Sequence, residues 1–268
     1  MIQMQQFKYT PPELQARKVL DECGLTDPTE YPLSQIILGR RAFYEEKPLS
    51  GKEGEIVSVS GRSIITVNSN IAFETKKRFA AAHELGHYEL HKDLKPVFND
   101  TEESLINWYQ GGEHEQEANQ FAAEFLMPSD VFHRECIQQK AFEPKVIDYL
   151  ATRFQVSKTA VILKFVNRGS HPVFIMFCKN NQMKWWKKSV DFHHFCHVFK
   201  YNAPPPTGSV AYEVFNSNKV YQNDEAKQQI WKSDWFQMRE NETKDPAFYE
   251  YCLFSRSYNY VISVIWEK

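Results

Sequence analysis

His83 and His87 stand four residues apart in "RFAAAHELGHYELH", residues 78–91. In an α-helix that separation is about 40° of rotation and ~6 Å of rise, so both imidazoles leave one face and can meet a single ion. Glu84 follows His83 by one residue, about 100° further round, and flanks such an ion rather than pointing at it. A carboxylate in that place can hold a water on the metal and take its proton, because zinc lowers the pKa of bound water to roughly 7. This is the H-E-x-x-H pattern, with His83 and His87 as metal ligands and Glu84 as the catalytic base. Phe79, Ala80, Ala81, Ala82 and Leu85 around it carry no charge. A helix buried on several sides is therefore expected, where titratable groups are costly without an ion to pair them. Gly86 costs such a helix ~1 kcal/mol relative to alanine, which the close approach of a neighbouring element would explain. One Zn2+ per chain is the expected cofactor, with Mn2+ as the alternative, since two imidazoles and a carboxylate select weakly between them.

A catalytic zinc takes three protein ligands. An extended H-E-x-x-H-x-x-G-x-x-H pattern needs glycine at 90 and a ligand at 93, but the chain has Leu90 and Asp93. The third ligand is then sought on the later segment "EHEQEANQFAAEFLMP", residues 113–128. There Ala118, Phe121, Ala122, Phe125 and Leu126 fall at helical spacing and Pro128 ends the run. Glu117 lies beside Ala118 and one turn before Phe121, on the inward edge of that helix. Glu113, Glu115 and His114 compete with it, and read otherwise as a solvated first turn complementing the helix dipole. Glu124 lies near the same face as a supporting residue. His91 continues the i, i+4 series, but a further turn carries it away from the ion, to the helix end or behind a ligand.

Together, "RFAAAHELGHYELH" and "EANQFAAEFLMP" resemble the ImmA/IrrE family of metallo-endopeptidases, formerly domain of unknown function 955. The segments "IITVNSN" and "LATRFQVSKTAV" occur in that family's order, and the similarity covers roughly residues 11–168. The resemblance implies an α+β, zincin-like metalloprotease core and maps the glutamate before Ala-Asn, Glu117, onto the third metal ligand. It implies a strand before the histidine helix, here Ser63–Val67, that binds substrate backbone as an added strand. It also implies an intracellular protein substrate, a transcriptional repressor, whose cleavage regulates transcription.

The elements that must position these residues are legible in outline. "PPELQARKVLDECGL" and "PLSQIIL" read as helices, and "GEIVSVSGRSIITVNSN" as a hairpin around Ser60-Gly61-Arg62. The histidine helix follows at about 74–92. "SDVFHRECIQQ" reads as a further helix, and residues 144–168 as helix, turn, helix. After Gly169 the texture turns to strands, with an Asn180-Asn181 turn and a strand pair around Ser257-Tyr258-Asn259. The expected organisation is a zincin-like metallopeptidase domain at 1–169, with a helix-turn-helix-like segment at 144–168. A β-rich domain at 170–268 follows, in a sensory or substrate-recruiting role.

Composition bounds the alternatives. The 268 residues are 42% hydrophobic and 25% charged, a folded rather than disordered composition. A net charge of -2 argues against broad nucleic-acid affinity. Five scattered cysteines without a C-x-x-C pair, no apolar leader in "MIQMQQFKYT" and no run of ~20 apolar residues point to a cytoplasmic protein with no membrane partner. The competing function is a DNA-binding regulator with a structural metal site, in which Lys158, Thr159, Lys164 and Arg168 of the 144–168 segment face DNA. A packing hairpin is the preferred reading of that segment. "HHFCH" (His193, His194, Cys196, His197) is too compact for a second metal site, and Trp185, Trp186, Trp231, Trp235 and Trp266 read as core.

Overall fold

The computed structural model describes residues 7–59, 61–91, 97–99, 112–194, 200–217, 221–256 and 258–268. Its fold is mixed α+β, with helices and two separate sheets. The chain divides into two compact units. One runs to Glu135 and takes in Tyr149–Ala160; the other holds Cys136–Asp148 and Val161–Lys268.

In the first unit, α1 (Pro11–Glu22) opens on two prolines, and the Glu13 carboxylate accepts the Thr10 N–H at 2.8 Å. A second helix, α2 (Leu33–Gly39), leads into β1 (Ala42–Lys47). The expected hairpin forms from β2 (Gly54–Val59) and β3 (Arg62–Asn68), with Gly61 at φ +77° in the turn. Sheet order is β1-β3-β2-β4, where β4 is Val97–Asn99. β3 pairs in parallel with β1 and antiparallel with β2, so both its edges are taken. This corrects the expectation that Ser63–Val67 binds a peptide as an added strand: among the described residues β1 and β4 are the edges, and only an edge offers open backbone groups.

The loop entering β2 is held by Asn68. Its Nδ2 donates to the carbonyls of Leu49 and Lys52 at 2.9 and 2.7 Å. Glu53, buried, pairs with Lys76 of α3 (Glu74–His91) at 2.7 Å. At the other end of α3, the Arg40 Nε donates to Glu89 at 2.8 Å and the Tyr88 hydroxyl to the Arg40 carbonyl at 2.9 Å. Packed on α3 is α4 (Glu113–Leu126), whose Ala118, Phe121, Ala122, Phe125 and Leu126 are all buried, as their spacing predicts. Glu124 serves the chain reversal after α4. Its carboxylate accepts the N–H and hydroxyl of Ser129 at 3.0 and 2.6 Å, at the start of α5 (Ser129–Ile137), and meets Arg17 at 3.2 Å.

The 144–168 segment is α6 (Pro144–Phe154) and α7 (Lys158–Arg168). Residues Ala160–Val166 of α7 are buried, Lys164 among them.

In the second unit, five antiparallel strands run in the order β6-β5-β9-β8-β7. They are β5 (Phe174–Lys179), β6 (Gln182–Lys188), β7 (Glu225–Trp231), β8 (Ala247–Ser255) and β9 (Tyr260–Glu267). Asn180 and Asn181 turn β5 into β6 at φ 53° and 59°, the left-handed pair a tight hairpin needs. Phe174, Trp235, Phe236, Phe248 and Ile265 build the core with Val210 and Ala211 of α8 (Val210–Asn216). Trp235 and Trp266 are buried as expected, but Trp186 and Trp231 are 46% and 51% exposed, because they stand on the two edge strands. Phe142 stacks edge-on against Phe165 and Trp266 at 5.0 and 4.8 Å. Glu250 on β8 is fully buried and accepts from the N–H groups of Val210 and Ala211 at 2.7 and 3.2 Å and from the Ser263 hydroxyl at 2.7 Å. Burial nevertheless pushes its carboxyl above the ordinary carboxylate range. His194 meets Glu267 at 3.1 Å, while Cys196 and His197 lie outside the described residues.

Candidate metal centre

The histidines of α3 emerge from one face, as i, i+4 spacing requires, and α4 runs across that face. Three side chains converge there. His83 Nε2 and His87 Nε2 are 3.0 Å apart; Glu115 Oε2 lies 3.2 Å from the first and Glu115 Oε1 3.4 Å from the second. Both histidines are buried and Glu115 is 36% exposed. Two imidazoles and a carboxylate, all within 4.8 Å of one another, are the donor set of a zinc or manganese site.

Its protonation state suits a cation. Burial holds the His87 imidazole down, to about 4, against the opposing pull of Glu115, so it is neutral at pH 7. Burial pushes the Glu115 carboxyl up, but the adjoining imidazoles of His83 and His87 outweigh it and hold the carboxyl below the ordinary carboxylate range. Neutral imidazole and ionised carboxylate are the forms that bind metal. Asn119 Oδ1 lies 3.0 Å from His83 Nδ1. The Nδ1–H donates to it, which leaves the Nε2 lone pair turned toward His87 and Glu115.

Glu117, the expected third ligand, is not brought to His83 and His87. It meets His91 Nε2 at 2.8 Å and His114 Nδ1 at 3.5 Å, a second group beside the first. The reason is helical phase: Glu115 and Glu117 are separated by about 200° round α4, so they cannot share a target. Glu115 and Asn119 are i, i+4, which puts carboxylate and amide on the same face. The sequence signal for Glu115 is thus Asn119, a polar side chain only 4% exposed on an apolar face.

Two glycines set the spacing. A Cβ on Gly86 would come within 3.1 Å of Phe121 Cδ1 and 3.2 Å of the Ala118 Cα, so α4 approaches α3 where a side chain is missing. That is the close approach Gly86 was expected to serve. A Cβ on Gly54 would fall 2.7 Å from Glu84 Oε1 and 2.8 Å from its Cγ. Glu84, buried at 1% exposure, therefore lies against the bare backbone at the start of β2.

Residues 38–165 match the family model for the IrrE N-terminal-like domain of the M78 peptidases. None of the curated proteins matches the chain. Among solved structures, a Mycobacterium tuberculosis transcriptional regulator is similar with a TM-score of 0.60. The match is at 15% identity over 96% of this chain and 75% of that one, a likeness of fold. Among the described residues no helix is long and apolar enough to cross a membrane. The family model covers the histidine helix and the helix facing it, so residues 38–165 are similar to the IrrE N-terminal-like domain of the ImmA/IrrE family of metallopeptidases.

Proposed function

We propose that the chain is a zinc-dependent endopeptidase that cleaves an intracellular protein, a transcriptional repressor, and that its metal ligands are His83, His87 and Glu115. The observation that carries this reading is the convergence of two Nε2 atoms and both oxygens of one carboxylate. It replaces Glu117 by Glu115 in the ligand set suggested by the sequence. His83, His87 and Glu115 would hold the zinc, which would supply Lewis acidity to a water (pKa about 7) and to the scissile carbonyl. Glu84 takes the proton from the attacking water on its carboxylate and delivers it to the departing amine nitrogen. Burial against Gly54 fixes that carboxylate in place. His83 is kept in the binding tautomer by Asn119. Of the two edges of the sheet among the described residues, we assign the substrate to β4, which neighbours β2 and hence Gly54 and Glu84.

Burial of α7 from Ala160 to Val166 removes Lys164 from the DNA-binding alternative and leaves it the part-exposed Lys158, Thr159 and Arg168. The regulatory connection is taken from the family resemblance, and the fold neighbour is itself a transcriptional regulator. For the C-terminal β-rich segment, 170–268, we propose recruitment of that client, because a peptide strand pairing by backbone carries little sequence choice.

The test combines elemental analysis with cleavage of an unfolded protein and of repressors from the same cell. Wild-type protein should hold one zinc, Glu115→Ala should lose it, Glu117→Ala should retain it, and Glu84→Gln should retain zinc but not cleave. Full zinc in Glu115→Ala overturns the ligand set. Undiminished cleavage by zinc-loaded Glu84→Gln overturns the mechanism.

A further inference from the structure

Behind His87 lies a series of contacts that the ligand set above does not use. His87 Nδ1 is 3.0 Å from His91 Nδ1, and His91 Nε2 is 2.8 Å from Glu117 Oε2. Resting on the assignment of His87 Nε2 as a ligand atom, we propose that His91 and Glu117 are positioning residues. They form a two-step relay that fixes the tautomer and ring orientation of His87 and strengthens its hold on the metal.

The direction of each hydrogen bond follows from proton counting. A neutral imidazole that gives its Nε2 lone pair to a cation carries its proton on Nδ1. His87 Nδ1 is therefore the donor, and the His91 Nδ1 facing it must be the acceptor. Because His91 accepts at Nδ1, that nitrogen carries no proton of its own. Its single proton then sits on Nε2, the atom that faces Glu117. The carboxylate accepts it at 2.8 Å, within the range of a charge-assisted bond. Each bond in the series polarises the next. The negative charge on Glu117 makes His91 Nδ1 a better acceptor, and that makes His87 Nε2 a better donor to the ion.

His83 and His87 are thus supported differently. His83 leans on a neutral amide, Asn119, and His87 on an imidazole backed by an anion. The arrangement also accounts for Glu117, which sits at 35% exposure between His91 and His114 and anchors the outer end of the series.

One competing use of the same atoms is excluded by the same counting. His91, His114 and Glu117 are close enough to hold a second cation. A cation on His91 Nε2 would move the His91 proton to Nδ1, head-on to the Nδ1–H of His87 at 3.0 Å. Relay and second cation cannot coexist while His87 holds the first ion.

The experiment is zinc affinity by chelator competition, with stoichiometry by elemental analysis, on full-length wild type, Glu117→Gln, His91→Phe and His114→Ala. Circular dichroism and thermal melts establish which variants are folded. Glu117→Gln, which keeps side-chain shape and removes only the charge, keeps the test open if His91→Phe does not fold. The expected result is one zinc per chain throughout, weakened roughly 10–100-fold in Glu117→Gln and His91→Phe. His114→Ala should bind as wild type does. Folded Glu117→Gln that binds zinc as tightly as wild type overturns the relay. So does a second zinc in wild type that His114→Ala removes. Failure of the underlying ligand assignment looks different: Glu115→Ala would then bind zinc as well as wild type.

Discussion

Gly86 of α3 and Ala118 of α4 touch backbone to backbone: a Cβ on the glycine would lie 3.2 Å from both the Cα and the carbonyl oxygen of the alanine. This approach lets Glu115, three residues before Ala118, and Asn119, one after it, reach His83. Gly86→Val should then act at two levels. Overpacking at the crossing should cost about 1–3 kcal/mol of stability, and displacement of α4 should weaken zinc binding. Gly86→Ala is milder, since ~1 kcal/mol of helix propensity offsets part of the strain. Urea unfolding and zinc competition read both effects, and Gly86→Val indistinguishable from wild type in each would refute the account.

The contact between Gly54 and Glu84 makes a prediction about turnover rather than binding. A methyl group on residue 54 would stand 2.7 Å from Glu84 Oε1, so the carboxylate must shift. Misplacing a catalytic group by ~1 Å can cost about 100-fold in rate. Gly54→Ala should therefore keep its zinc and lose one to two orders of magnitude in cleavage rate. Glu84→Gln should lose more, about 100- to 10,000-fold, for want of a proton acceptor. A Gly54→Ala enzyme that cleaves at the wild-type rate would show that the base does not depend on this contact.

Glu250 predicts a pH dependence of stability. Its folded carboxyl is raised above the ordinary 4.5, so above that pH the unfolded chain releases a proton that the folded chain keeps. Stability from this group is complete below pH ~4.5 and declines as pH rises through the folded value. Glu250→Gln cannot titrate, and its stability should change less over the same window. Denaturant titrations at several pH values measure the slopes; equal slopes in the two proteins would contradict the assignment.

The parts legible in the sequence are those set by local rules. Helix α3, the apolar face of α4, the β2–β3 hairpin and the Asn180-Asn181 turn each announce themselves by periodicity or by a residue suited to positive φ. What stays hidden depends on partners distant in sequence. β1 reads "AFYEEK", a charged run, and becomes a strand by pairing in parallel with β3. That pairing also buries β3 in the sheet and removes it as a place for substrate. The third ligand is a finer case. Glu115 and Glu117 are chemically alike and one turn or less from Ala118, so type and hydrophobic phase alone favour the residue nearer the apolar stripe. Only the line from His83 through Asn119, back one turn to Glu115, tells them apart.

The acidic start of α4 also behaves as a reading frame. Its downstream end is fixed by Ala118 and Phe121 against α3, while each residue added or removed upstream turns the preceding side chains by about 100°. Deleting Glu117 would carry His114 into the place held by Glu115 and present three imidazoles to one ion. Inserting a residue after Glu117 would bring Gln116 there instead, a neutral amide that binds metal poorly. Single-residue length changes in this turn are frameshifts in ligand chemistry, and α4 should tolerate substitution on its outer face far more readily than any change in its count.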